Sequence, residues 1–186
     1  MTNTNDNISR NSEQDAEPIL FESRVFNIVE RKQLGRSGKI LTRHIVKHPG
    51  AVAIVPVLND GNVLLIRQFR VSFQREIYEI PAGTREPNEP PEQTAIRELI
   101  EETGYRAENI EKLHTIYTSP GVLQEELIIY LATGLRLGQS APEDGEKIVN
   151  EILSWRQINQ MIENNQIADA KSIVGLLLAQ KKLFEK

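Results

Sequence analysis

Glu98, Glu101 and Glu102 fall in a stretch, Pro91 to Thr103, whose pattern predicts a helix. At about 100° per residue the three carboxylates gather within about 100° of arc, while Ala95, Ile96, Leu99 and Ile100 gather on another side. Glu98 and Glu102 are one turn apart, where like charges repel by roughly 0.2–0.5 kcal/mol. Glu101 and Glu102 also lie in the last turn, where the helix dipole disfavours negative charge. Stability alone does not ask for this arrangement. Hard oxygen donors on one face can hold Mg²⁺ or Mn²⁺, which would resolve the repulsion. Read without its neighbours, the same face is equally a solvated charge run.

The wider spacing favours the first reading. Gly83, five residues, Glu89, seven residues and then Arg97-Glu98-Leu99-Ile100-Glu101-Glu102-Thr103-Gly104-Tyr105 resemble the signature of the Nudix hydrolases at every fixed polar and glycine position. Tyr105 departs from the family's aliphatic residue, but its ring still offers an apolar body. The resemblance implies that Glu98 and Glu102 are direct metal ligands, that Glu101 is a further ligand or holds the water, and that the carbonyl of Ala82 is a backbone ligand. Arg97 would point away from the centre of the acidic face and orient one carboxylate, or form a simple salt bridge. Glu89 would brace the loop or touch metal weakly. The implied cofactor is Mg²⁺, with Mn²⁺ as substitute. The reaction is in-line attack of water on a phosphoanhydride, in which divalent ions activate the water and neutralise charge. Without them, each carboxylate–phosphate contact at 4 Å would cost about 4 kcal/mol at an effective dielectric near 20.

Three features outside the signature resemble the ADP-ribose pyrophosphatases within that family. Pro120 lies sixteen residues after Gly104, in Ser119-Pro120-Gly121 followed by Glu125. Arg67-Gln68-Phe69-Arg70 precedes Glu79-Ile80-Pro81-Ala82-Gly83, and Ile167-Ala168-Asp169-Ala170-Lys171-Ser172 opens the last helix. By this resemblance Arg70 contacts diphosphate or ribose, Arg67, Glu125 and Pro120 line the substrate site, and Arg43 reaches substrate across a dimer interface. A loop glutamate serves as base: Glu146 first, Glu143 second. The implied reaction is ADP-ribose to AMP and ribose 5-phosphate. The alternatives are a diphosphatase for another nucleotide sugar, such as GDP-mannose, and a nucleotide-sensing module without catalysis.

The elements that must position these residues follow from the rest of the chain. Its 186 residues suffice for one domain with a core. A net charge of −4 with interspersed signs argues against a nucleic-acid surface. There is no cysteine, so a thiol nucleophile and thiolate metal sites are excluded. His44, His48 and His114 are scattered and receive no ligand role. No apolar stretch is long enough for a membrane span or a signal peptide, so a soluble cytoplasmic protein is expected. Residues 1–17 are polar and expected to be disordered. Residues 20–33 and 39–47 read as strands of a hairpin around Leu34-Gly35-Arg36-Ser37-Gly38, making 18–48 an N-terminal extension and dimerisation element. Residues 49–186 form the hydrolase domain. In it, Ala51 to Leu58 is a central strand, Asn59-Asp60-Gly61-Asn62 a hairpin turn, and 63–69 the returning strand. A loop is expected after 79–83, before the acidic helix, and 110–118, 126–133 and 148–155 read as strands. Helices are expected near 156–164 and over 170–183, the latter capped by Asp169 with Ile173, Leu176, Leu177 and Leu178 facing the core. The sum is an α+β fold, a Nudix-type α/β/α sandwich with a mixed sheet, assembled as a homodimer.

Overall fold

The continuous apolar run that begins at Ala51 becomes a buried strand with a hydrophobic core on each face. The computed structural model describes residues 17–138 and 147–185. Strands β1 (Ile19–Glu22), β2 (Asn27–Leu34) and β3 (Ile40–Lys47) precede β4 (Ala51–Pro56), β5 (Val63–Arg70), β6 (Arg75–Glu79) and β7 (Ala82–Thr84). Helix α1 (Pro91–Thr103) leads to β8 (Tyr105–Arg106), β9 (Asn109–Ile116), β10 (Leu123–Gln124), β11 (Leu127–Thr133), β12 (Arg136–Leu137) and β13 (Ile148–Leu153). Helices α2 (Trp155–Glu163) and α3 (Ala170–Phe184) follow.

Every residue of β4 is buried. Its sheet runs β7-β4-β11-β9, with β4 and β11 parallel and the outer pairs antiparallel. Side chains alternate between the two faces of a strand. Ala51, Ala53 and Val55 therefore enter one core with Ile158, Ile167, Leu176 and Ala179 from the α2–α3 side. Val52 and Ile54 enter a second core with Ala95 and Leu99 of α1. Gly175 permits α3 to lie close on the sheet, since a Cβ there would stand 2.9 Å from Ile80 Cδ1. The other strands form the sheets β1-β2-β3-β10 and β13-β5-β6 and the two-stranded β12-β8. No helix among the described residues is long and apolar enough to cross a membrane.

Several expectations change in detail. The strand expected over 20–33 is broken, because Ser23 turns the chain: its N–H donates to Phe26 O and its Oγ accepts from Phe26 N–H, each at 3.0 Å. Ahead of the expected loop, Glu79 ends β6 and Ala82 starts β7, with Ile80 and Pro81 between them; Pro81 O accepts from Ile54 N–H at 2.8 Å. Ile96 and Leu177 face solvent rather than the core, at 42% and 52% exposure. The buried positions are Thr94, Ala95, Leu99, Glu102 and Thr103 in α1 and Ser172, Gly175, Leu176 and Ala179 in α3. Asp169 does cap α3, accepting from Ser172 N–H at 3.0 Å.

Candidate active site

Gly83 fixes how close α1 comes to β7. A Cβ on Gly83 would lie 1.9 Å from Glu98 Cδ and 2.0 and 2.4 Å from its carboxylate oxygens. The Glu98 carboxylate thus occupies the space a side chain would fill. One turn on, Glu102 is buried and its Oε2 accepts from Ala82 N–H at 2.8 Å. Both carboxylates therefore lie against the same two backbone residues, Glu102 by a hydrogen bond to Ala82 and Glu98 by close approach to Gly83. The C-terminus of α1 is held by Gly104, in the left-handed conformation at φ 79°, and by Asn150 Nδ2, which donates to Thr103 O at 2.9 Å.

Arg97 is placed differently from the expectation that it points away and serves one carboxylate. Its Nη1 lies 2.7 Å from Glu98 Oε1 and 2.8 Å from Glu101 Oε2, while its Nε is 3.0 Å from Glu89 Oε1. It threads among three carboxylates, and its hydrogen bond to Glu89, with the charge of Glu98 and the bond to Glu101, raises its already high pKa further. Glu101 is drawn towards it, and no three carboxylate or imidazole groups among the described residues converge into a metal-holding cluster. The donor set still fits a divalent cation: Glu98, Glu101, Glu102 and the Ala82 carbonyl all offer hard oxygens, and the four residues line one cleft.

Glu89 serves as a brace. Besides Arg97 it accepts from Thr94 Oγ1 at 2.9 Å and Glu86 N–H at 3.2 Å, tying the loop before α1 to the helix. Hydrogen bonds from Arg97 lead the causes that hold its carboxyl at about 2, against an ordinary 4.5. A depressed folded pKa gives stability that is present above the ordinary value and lost as pH falls through the folded one. Glu89→Gln should therefore lower the urea midpoint at pH 7, and the gap to wild type should close between pH 4.5 and 2. A gap that stays constant down to pH 3 would refute this account of the brace.

The acidic face opens on a cleft of ≈480 Å³ that also receives Arg24, Arg70 and Arg85. Arg70 is gripped by Glu79, at 2.8 and 2.5 Å, and Glu79 is gripped in turn by Lys171 at 2.8 Å. Burial pushes the Glu79 carboxyl up, but Arg70 and Lys171 outweigh it and leave it below its usual range. Lys171 also meets Asp169 at 3.0 Å, so the start of α3 anchors the arginine. Pro120 and Glu125 lie in an adjoining cavity of ≈390 Å³ with His48 and Tyr117. There Glu125 accepts from Thr118 Oγ1 at 2.6 Å.

The other expected residues stand apart. Arg67 lies off the cleft, paired with Glu76 and Glu151. The strand period explains it: residues 67 and 70 are an odd number apart and point to opposite faces. Arg43 sits on β3 opposite Arg31, with Nε 3.4 Å from Gln33 Oε1, and lines neither the cleft nor the adjoining cavity in its own chain. Glu143 and Glu146 lie outside the described residues. Conversely Arg24, Arg85, Glu79 and Lys171 were given no role from sequence. No period or spacing marks an isolated cation in a turn, and a buried ion network joins residues distant along the chain.

Comparison with known proteins agrees with this geometry. The family model of the NUDIX domain matches residues 47–174. The chain is 38% identical over 170 residues to the ADP-ribose pyrophosphatase of Bacillus subtilis (strain 168), covering 90% of this chain and 91% of that one. It is also 38% identical over 164 residues to the methanol dehydrogenase activator of Bacillus methanolicus, covering 87% and 88%. A crystal structure of an ADP compounds hydrolase has the same fold, with TM-score 0.79 at 21% identity over 89% of this chain and 90% of that one. The signature spacing, the acidic helix face and the match over most of its length establish that this chain belongs to the NUDIX family.

Proposed function

We propose that this Nudix enzyme hydrolyses the diphosphate bond of a nucleoside diphosphate sugar, with ADP-ribose cleaved to AMP and ribose 5-phosphate. The observation that carries the reading is the placement of Glu98 and Glu102 against Gly83 and Ala82, in a cleft that runs into a second cavity past Pro49 and Arg85. That shape suits an elongated ligand with a diphosphate at its middle. The likeness to a relative named ADP-ribose pyrophosphatase supports the choice of sugar nucleotide.

Nudix hydrolases generally use divalent metal ions, and here Glu98, Glu101, Glu102 and the Ala82 carbonyl would hold Mg²⁺, or Mn²⁺ in its place. Bound there, such an ion lowers the pKa of water and offsets phosphate charge. The chain's own residues do the rest. Arg97 fixes Glu98 and Glu101, and Arg70, locked by Glu79, presents a rigid cation to the cleft. Glu146 is the leading candidate for the base that takes a proton from the attacking water, and Glu143 the second.

A second reading, a sensing module without turnover, draws on the relative named as an activator. Retention of Glu98, Glu101 and Glu102 favours the enzyme. The test is a panel of ADP-ribose, GDP-mannose and other nucleotide sugars with Mg²⁺, following AMP or GMP release. ADP-ribose should be hydrolysed fastest, and Glu146→Gln should lower kcat far more than it raises KM. Binding of ADP-ribose without AMP release would replace this reading with the sensing module.

The assembly proposed with it is a homodimer through residues 18–48. Ile19, Leu20 and Phe21 of the edge strand β1 are each more than half exposed, at 58%, 53% and 53%. An exposed apolar edge is the kind of surface a symmetric partner covers. Sedimentation should give a dimer at micromolar concentration, and removal of residues 1–47 should abolish it. A monomeric full-length chain with normal ADP-ribose turnover would defeat this assembly.

A further inference from the structure

Arg85 stands at the junction of the two compartments: it lines both the acidic cleft and the adjoining cavity of His48 and Glu125. Its backbone is fixed, since its N–H donates to Gly50 O at 3.0 Å. Its side chain is held loosely. Among the described residues, Nη2 reaches only Glu89 O, at 3.4 Å, and Nε is buried with no hydrogen-bond partner. No carboxylate pairs with it among the described residues. Of the other arginines lining the two compartments, Arg70 is engaged by Glu79, Arg97 by three glutamates and Arg31 by Glu17, while Arg24 lines the acidic cleft but not the adjoining cavity. A buried guanidinium N–H without an acceptor is costly, and guanidinium forks match phosphate oxygens. We propose that Arg85 binds a phosphate of the substrate where it passes from the acidic cleft into the second cavity, and so sets the preference for diphosphate ligands over uncharged nucleosides.

The inference rests on the proposed sugar-nucleotide reading for its full substrate, but its test needs only binding. Titration calorimetry with ADP and with adenosine would be run on the full chain and on Arg85→Gln, which keeps much of the stem and leaves the bond to Gly50 in place. Loss of a charged hydrogen bond should weaken ADP about tenfold to a hundredfold while adenosine changes less than about twofold. Arg85→Lys should recover part of the ADP affinity, since the charge remains but the fork is lost. Equal losses for ADP and adenosine would assign Arg85 to packing, and unchanged ADP affinity would remove it from the site; either overturns the proposal. Turnover of ADP-ribose by the wild type reports separately on the proposed reaction. An intact enzyme with an insensitive Arg85→Gln would therefore sink only this inference, and a wild type without turnover only the reaction.

Discussion

Glu102→Gln should leave a folded protein whose ADP-ribose turnover is reduced by at least about 100-fold at saturating Mg²⁺, the order seen when even the outer partners of a metal site are lost. The fold should survive because glutamine keeps the side-chain carbonyl, which can still accept from Ala82 N–H as Glu102 Oε2 does at 2.8 Å. What disappears is a buried negative charge, one turn from Glu98 and in the last turn of α1. Both neighbours disfavour that charge in the absence of a cation. Thermal stability without added metal should therefore hold steady or rise, while the increase in Tm on adding Mg²⁺ should shrink. Opposite signs for stability and turnover separate a ligand from a structural glutamate. Normal turnover at saturating Mg²⁺ would remove Glu102 from the metal set, and a fall in metal-free Tm would show that its charge supports the fold.

The parts of this protein legible from sequence are those where one local rule dominates. The acidic helix spans Pro91–Thr103, as its proline start and Gly104 stop dictate. The buried run from Ala51 is the central strand, and the Asp60-Gly61 turn closes as read, with Gly61 at φ 84° and Asn62 N–H donating to Asp60 Oδ1 at 3.0 Å. Where several weak preferences compete, tertiary packing decides. β6, a short Arg75-Glu76-Ile77-Tyr78-Glu79 segment, has little strand pattern of its own and forms by pairing with β5. Ile96 and Leu177 belong to apolar arcs that are only partly buried. The site divides in the same way. Carboxylates at helical spacing announce themselves, but Arg97 joining Glu89 to Glu98 and Glu101 depends on a loop folding back on the helix. Glu79 meets Lys171 across 92 residues of chain, a separation no local pattern encodes. Arg67 and Arg70 sit in one motif, yet only Arg70 faces the cleft, because strand register sends the two to opposite sides.

Gly83→Ala should cost about 100-fold in kcat/KM while leaving the fold intact, the scale expected when a reacting group is displaced by about 1 Å. The argument starts from the backbone. Gly83 pairs with Val52 in an antiparallel register and does not adopt a positive φ, so alanine suits the position. Alanine can even stabilise slightly, by about 0.4–1 kcal/mol, because it restricts the unfolded chain. The conflict lies wholly at the side chain: the new Cβ would fall 1.9 Å from Glu98 Cδ, far inside contact distance. Glu98 is the end of a flexible side chain, whereas Gly83 is held in a sheet, so the carboxylate gives way. It must leave the Ala82–Gly83 backbone, while Glu102 keeps its bond to Ala82. One of the two carboxylates is then out of place and the other is not. The checks are kcat/KM for ADP-ribose, the midpoint of the Mg²⁺ dependence and Tm, measured on the same preparation. Turnover should fall, the Mg²⁺ midpoint should move to higher concentration, and Tm should stay within a few degrees of wild type. Activity within twofold of wild type would show that Glu98 is not needed where it sits. A collapse of Tm would show that the strand gives way before the glutamate does, and would overturn the claim that Gly83 is there for the carboxylate.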